Sequence, residues 1–162
     1  MQNIIPFSSP DFSNICTLWE NSVLATHHFL AQEDFDYYKE MVPDYFSQAT
    51  LYVYQDGDVI KGFLGVSEDN IDMLFVDPVY LGQGVGKALL LYALNKLGAL
   101  KVDVNEQNAH AYQFYQHFGF VVVCRSEIDD MQKPYPILHL ELKNRYGAIQ
   151  GAAIEIKKEE SI

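Results

Sequence analysis

The sequence predicts an α/β (α+β) domain: a mixed, mostly antiparallel central sheet flanked by helices. Three observations carry this expectation. Strand-like runs at 51–55, 59–67 and 71–76 follow one another with only short polar breaks, which favours an antiparallel meander. Glycines at every second position, Gly82, Gly84 and Gly86, then open an amphipathic helix. A strand, a helix and two further strands carry the chain to residue 142.

Taken in order, residues 3–6 form a short opening strand cut off by Pro6 and Pro10. Asp11 or Ser13 caps a helix whose apolar positions Ile15, Leu18, Trp19 and Val23 fall at helical spacing. Residues 25–30 read as a loop or short turn. A second helix is expected over 34–41, stopped by Pro43. Asp56-Gly57-Asp58 makes the first two strands of the meander a hairpin. Glu68-Asp69-Asn70 separates the second from the third, and Pro78 ends that part of the sheet. The glycine-opened helix runs to about residue 97 with Leu90, Leu94 and Leu97 on one face. Strand 101–104, helix 108–118 with Gly119 as its C′ residue, and strands 120–128 and 136–142 follow. Residues 1–142 thus read as one domain without repeat or linker. From Lys143 onward the chain is charged and aperiodic, and the 143–162 tail is expected to be loose.

The 162 residues suffice for one core, and 49% apolar with 14% aromatic side chains is a globular composition. Eleven basic against 22 acidic residues give a net charge of −11, which disfavours nucleic acid as a partner. Such a field favours a cationic small molecule or basic peptide, or simply keeps the chain soluble. Cys16 and Cys124 have no metal-ligand spacing; they read as reduced thiols, which points to the cytoplasm, and no metal site is expected. The N-terminus has no signal-peptide pattern and no run is long and apolar enough to span a membrane. Monomer and homodimer remain equally open.

The segment from Met73 to Leu90 carries the most chemistry. A strand ends at Val76, and glycines without Cβ atoms let a ligand approach the backbone before a helix begins. First-turn N–H groups and the helix dipole favour negative charge there, so a pyrophosphate is the natural occupant. Spacing excludes two common pyrophosphate sites. Three residues rather than four separate Gly82 from Gly86, and Lys87 precedes Ala88 rather than Ser or Thr, unlike a Walker loop. G-x-G-x-G is not the dinucleotide fingerprint G-x-G-x-x-G.

What the stretch resembles is the coenzyme A signature of GNAT acetyltransferases, Arg/Gln-x-x-Gly-x-Gly/Ala, with its glycines at Gly84 and Gly86. Leu81 stands where the family has Arg or Gln, which removes one charge-assisted phosphate contact. The resemblance implies the GNAT fold, its sheet splayed around acetyl-coenzyme A between strands 71–76 and 101–104. It implies cofactor contacts from Leu74, Phe75 and Val76, then Gly82, Gln83, Gly84, Val85, Gly86, Lys87 and Ala88. Val104-Asn105-Glu106-Gln107-Asn108, with Ala111, Phe114, Tyr115 and Gly119-Phe120, is similar to the family's second cofactor region. There Asn105, Asn108, Ala111, Phe114 and Tyr115 are the implied contacts. Asn108 also reads as the N-cap of its helix, and the two roles can coexist. His27 in Ala-Thr-His-His-Phe-Leu, and the stretch from Arg125 to Pro136, are similar to a bacterial subgroup of the same family. The likeness spans residues 4–142.

By that resemblance the chain moves an acetyl group to a primary amine that attacks the thioester directly. Tyr115 is the implied general acid for the departing thiolate, although its place among Ala111, Phe114 and Phe118 equally suits a core aromatic. For the base, Asp72, His27 and Glu68 stay open beside deprotonation through water. Trp19, His27, Tyr37 and Tyr135 are candidates for the acceptor pocket. A catalytically weak acyl-coenzyme A-binding or sensor module is the alternative that Leu81 suggests.

Overall fold

The computed structural model describes residues 3–143. The tail expected at 143–162 lies, apart from Lys143, outside the described residues. Seven strands, β1 (Ile4–Phe7), β2 (Thr50–Asp56), β3 (Val59–Ser67), β4 (Asn70–Val76), β5 (Lys101–Asn105), β6 (Phe120–Ser126) and β7 (Ile137–Leu142), form one sheet in the order β1-β2-β3-β4-β5-β7-β6. All neighbours are antiparallel except β4 and β5, which run parallel. Helices α1 (Ser13–Thr26), α2 (Gln32–Gln48), α3 (Val85–Lys96) and α4 (Ala109–His117) cover it.

Side-chain alternation divides the core in two. On β2, Leu51 and Val53 pack with Ile15, Leu18, Trp19, Phe35, Val42 and Phe46 of α1 and α2. The intervening Tyr52 and Tyr54 face the other side, with Leu89, Leu90 and Ala93 of α3 and Tyr115 of α4. Period two on the strand and period 3.6 on the helices therefore put one helix pair on each face. Gly57, at φ +61°, takes the first turn position of the β2–β3 hairpin, where a positive φ suits the strand twist.

Two helix boundaries differ from expectation. The 25–30 segment is not all loop: α1 continues to Thr26, and the N–H of His27 donates to the Val23 carbonyl at 2.8 Å. Its N-cap is Phe12, not Asp11 or Ser13, and no side chain caps it; the Asp11 carboxylate only accepts from the Ser13 N–H at 3.0 Å. Pro43 does not stop the second helix, which runs from Gln32 to Gln48 with Pro43 inside it. The proline removes one backbone bond, but Val42 and Phe46, 5% and 1% exposed, flank it on the buried face. Burial of the last turn against β2 and β3 outweighs that loss.

The sheet changes character at Asp72. Gly65 pairs with Met73 and Val66 with Ile71, so Asp72 is an extra residue in β4. This bulge resets the alternation: Ile71 packs in the α3/α4 core, whereas Met73 and Phe75 pack on the α1/α2 side. At the same level the parallel pairing with β5 ends, after Asn70–Lys101 and Ile71–Val102. Beyond it β4 and β5 diverge into a V. Its base is pinned by the Asp69 carbonyl, which accepts from Leu100 N–H at 2.9 Å and Lys101 N–H at 3.1 Å.

Helix α3 is seated on β3 through Gly62. A Cβ there would lie 2.9 Å from the Phe75 carbonyl oxygen and 2.9 Å from Cγ1 of Val85, the first residue of α3. Because one neighbour is backbone, Gly62→Ala should push α3 off the sheet and cost about 1–3 kcal/mol. Chemical denaturation measures that loss.

Candidate active site

The glycine turn is built by backbone conformation. Gly82 and Gly84 have φ of +78° and +84°, and nothing lies within 4 Å of a Cβ built on either. Gly84 is the N-cap of α3 and has no side chain to take the first-turn N–H groups. The first intrahelical bond is from Ala88 N–H to the Gly84 carbonyl at 3.0 Å. Gln83, Val85, Gly86, Lys87 and Ala88 complete this turn and the opening of the helix. An open backbone cradle at the start of a twelve-residue helix fits a pyrophosphate. Gly86 differs from its neighbours: its φ is ordinary, and a Cβ would touch Val76 at 3.5 Å and Phe114 at 3.8 Å, ordinary packing distances. Leu81 is 52% exposed, and its N–H donates to the Pro78 carbonyl at 3.3 Å.

The second cofactor region divides. Asn108 caps α4, its Oδ1 accepting from Ala111 N–H at 3.2 Å. Asn105 ends β5, its carbonyl accepts from Asn108 N–H at 2.9 Å, and its side chain reaches the cleft described below. Tyr115 is 5% exposed, with its ring against Phe114 and Phe120 at 5.2 and 5.6 Å. Burial alone raises its phenol well above the ordinary value, with no hydrogen bond contributing. Its hydroxyl makes no hydrogen bond to the described residues, which leaves it open to a ligand atom. Ala111 and Phe114 are partly buried against the same core, as is Leu74.

On the α1/α2 side the V opens into a cleft of about 440 Å³. Its walls are Asp72, Met73 and Phe75 of β4, Asp103 and Asn105 of β5, Trp19 and Val23 of α1, and Tyr38 and Tyr45 of α2. Asp129, Asp130 and Met131 from the β6–β7 loop form its rim. Beyond Ile71 the β5-facing edge of β4 has no strand partner among the described residues. The backbone around Leu74, Phe75 and Val76 is thereby available to a ligand lying in the V.

His27 and Asp72 both line this cleft, as does Trp19. The Asp72 carboxylate accepts from the Ser67 hydroxyl and from Asn70 Nδ2, the latter at 2.7 Å. His27 Nδ1 lies 2.7 Å from the Thr26 hydroxyl. Burial first, and the neighbouring His28 second, lower its pKa to about 4. It is therefore neutral at pH 7 and accepts a proton reluctantly. The structure does not bring Tyr37 and Tyr135 to the cleft wall. Tyr37 is exposed beneath the Lys133 ammonium, 4.8 Å from its ring centroid. Tyr135 turns its hydroxyl to Asp34 at 2.5 Å and accepts from Ala31 N–H at 3.0 Å.

Four carboxylates, Asp72, Asp103, Asp129 and Asp130, face the cleft, and no Lys or Arg is among the residues lining it. Three of them are absent from the residues singled out by sequence. Asp103 carried a readable signal, since it alternates with the buried Val102 and Val104. Asp129 and Asp130 carried none, because they lie in a loop positioned by contacts distant in sequence. Tyr38 donates to Asp129, whose other oxygen accepts from Met131 and Lys133 N–H groups at 2.9 Å each.

Residues 20–131 match the Acetyltransferase (GNAT) domain family. The chain belongs to that family. As a GNAT protein it is an N-acetyltransferase that uses acetyl-coenzyme A. It is similar to the peptidyl-lysine N-acetyltransferase YjaB of Salmonella typhimurium, 40% identical over 86% of this chain and 97% of that protein. The YjaB of Escherichia coli K12 is 41% identical over 78% of this chain and 86% of its own length. The solution structure of apo-form YjaB from Escherichia coli superposes with a TM-score of 0.79 at 38% identity, covering 87% of this chain and 97% of that one. The parallel β4–β5 pair that opens into a V is thus the GNAT frame.

Two outcomes are expected. Gly84→Ala forces a side chain onto a φ of +84° and should weaken coenzyme A binding, whereas Gly86→Ala should bind near normally; isothermal titration of coenzyme A compares them. His27 should remain unprotonated down to about pH 4 in a proton NMR titration. A histidine whose folded pKa lies below its unfolded value of about 6.5 contributes stability that is complete above that value. That stability is lost as pH falls from about 6.5 toward 4.

Proposed function

We propose that this GNAT enzyme acetylates a cationic primary amine, with a lysine side chain of a peptide as the acceptor. The observation that carries this reading is the cleft on the α1/α2 side, where four aspartates and no Lys or Arg line the walls. Opposite charge concentrates an ammonium at such a mouth. The similarity to the two peptidyl-lysine N-acetyltransferases supports the choice of lysine over other amines. The unpaired thiols Cys16 and Cys124 fit a cytoplasmic enzyme.

Acetyl-coenzyme A supplies the acetyl group as a thioester. Gly82, Gln83, Gly84, Val85, Gly86, Lys87 and Ala88 hold the pyrophosphate end. The edge of β4 around Leu74, Phe75 and Val76 receives the pantetheine, with Asn105, Asn108, Ala111 and Phe114 on the other wall. Backbone N–H groups of that edge polarise the acetyl carbonyl. Trp19 and His27 shape the acceptor side, where the neutral imidazole accepts a hydrogen bond from the amine. Asp72 draws in the ammonium and takes its proton, directly or through water. Tyr115 stays protonated in its buried site until the thiolate leaves, then donates to it.

Tyr115→Phe keeps the ring packing and removes only the proton donor. Acetylation of a lysine peptide should fall roughly 10²–10⁴-fold, while coenzyme A affinity changes little. Stopped-flow thiol release together with calorimetry separates the two quantities. Turnover near that of the native enzyme would leave Tyr115 as a core aromatic only.

A further inference from the structure

Asp103, His139 and Ser126 form a hydrogen-bonded line across three neighbouring strands. Oδ1 of Asp103 on β5 lies 2.7 Å from Nδ1 of His139 on β7. Nε2 of the same ring lies 2.7 Å from the hydroxyl of Ser126 on β6. An ionised carboxylate can only accept, so Nδ1 carries the hydrogen and donates to Asp103, and Nε2 accepts from Ser126. The connectivity is that of a serine hydrolase triad, but its orientation to the cleft is reversed. Asp103 lines the cleft, whereas Ser126 and His139 do not. A nucleophile at the far end cannot reach a thioester held in the V. What the line does is fix the carboxylate: one oxygen is tied to His139, and acceptor capacity remains for a cation in the cleft.

The partner of Asp103 in register would be Asp72. The parallel ladder pairs Asn70 with Lys101 and Ile71 with Val102, and the next level is where the strands part. Two carboxylates therefore stand on opposite walls at the mouth of the V, each anchored separately, Asp72 by Ser67 and Asn70 and Asp103 by His139. One ammonium can neutralise one of them. Resting on the acceptor reading above, we infer that Asp103 is a specificity carboxylate for a second positive charge, positioned by His139 and Ser126. The substrate class is then a peptidyl lysine with a basic residue beside it.

The test uses the full chain saturated with coenzyme A and two blocked tetrapeptides, Gly-Lys-Arg-Gly and Gly-Lys-Ala-Gly, titrated calorimetrically. The Lys-Arg peptide should bind about two- to fivefold more tightly, as expected for one half-exposed ion pair of good geometry. Asp103→Asn should bring the ratio of the two affinities toward one. His139→Ala should lower it in part, and His139→Gln, whose amide can still donate to Asp103, should restore it. Nitrogen-15 NMR should show the His139 ring protonated at Nδ1 and shifted in Asp103→Asn. Equal affinity for the two peptides, a ratio that survives Asp103→Asn, or binding of neither peptide overturns the inference. Stronger binding of 1,5-diaminopentane than of the Lys-Arg peptide overturns its peptide assignment. Acetylation of both peptides at equal efficiency would sink the second-charge role while leaving lysine acetylation intact.

Discussion

Two parallel strands joined by only two residue pairs set the terms for the rest of this molecule. β4 and β5 hold together at Asn70–Lys101 and Ile71–Val102 and then separate, at the level of the extra residue Asp72. A bulge bends its strand and increases the local twist, so β4 follows β3 while β5 follows β7. The interval between them is the space a coenzyme needs. Ordinary ladder pairing over the full length of β4 would satisfy its backbone groups internally and leave no opening. The free edge is tolerable because the rest of the sheet is well anchored: β3 holds β4 along the whole strand, and Asp69 ties the base of β5.

The two faces of that opening have different chemistry. Toward α3 and α4 the surroundings are glycine backbone, a helix N-terminus and an aromatic cluster around Tyr115. Phosphate and thiol chemistry suit that side. Toward α1 and α2 the walls carry four carboxylates, with Trp19, Phe75, Tyr38 and Tyr45 between them. Negative charge therefore suits the first side and positive charge the second. The sheet keeps them apart except in the V.

The α1/α2 side of the cleft depends on a loop with little apolar content of its own. Residues 127–136 are held to α2 by polar contacts. Asp34 is 8% exposed and accepts from Tyr135 while pairing with Lys133 at 3.2 Å, and Tyr38 donates to Asp129. The Tyr135 hydroxyl, with Lys133 beside it, holds the Asp34 carboxyl below its usual value against the effect of burial. Burial, and after it the adjacent carboxylates, raise the phenols of Tyr38 and Tyr135. A buried carboxylate with two such partners is costly to disturb, because removing either leaves charge without compensation. This explains why Tyr37 and Tyr135, plausible pocket residues by composition, serve instead as supports for the rim.

Local pattern determined most of the fold. Alternating apolar residues placed the strands, the glycines at 82, 84 and 86 marked the turn that opens α3, and Asn108 with Gly119 bounded α4, each through chemistry contained within a few residues. The course of α2 through Pro43 was not contained there, because burial of Phe46 against strands 50–67 decides it. Nor was the composition of the cleft. Asp103 could be read as a polar residue facing away from the core, but not that His139 and Ser126 on two other strands would hold it. Asp129 and Asp130 reach the rim because Tyr38 and Asp34, some ninety to a hundred residues earlier, hold their loop. Periodicity and turn chemistry act over one or two turns of chain, and so a sequence displays them. The meeting of side chains from β4, β5, β7, α2 and one loop is a product of packing, and only the folded chain specifies it.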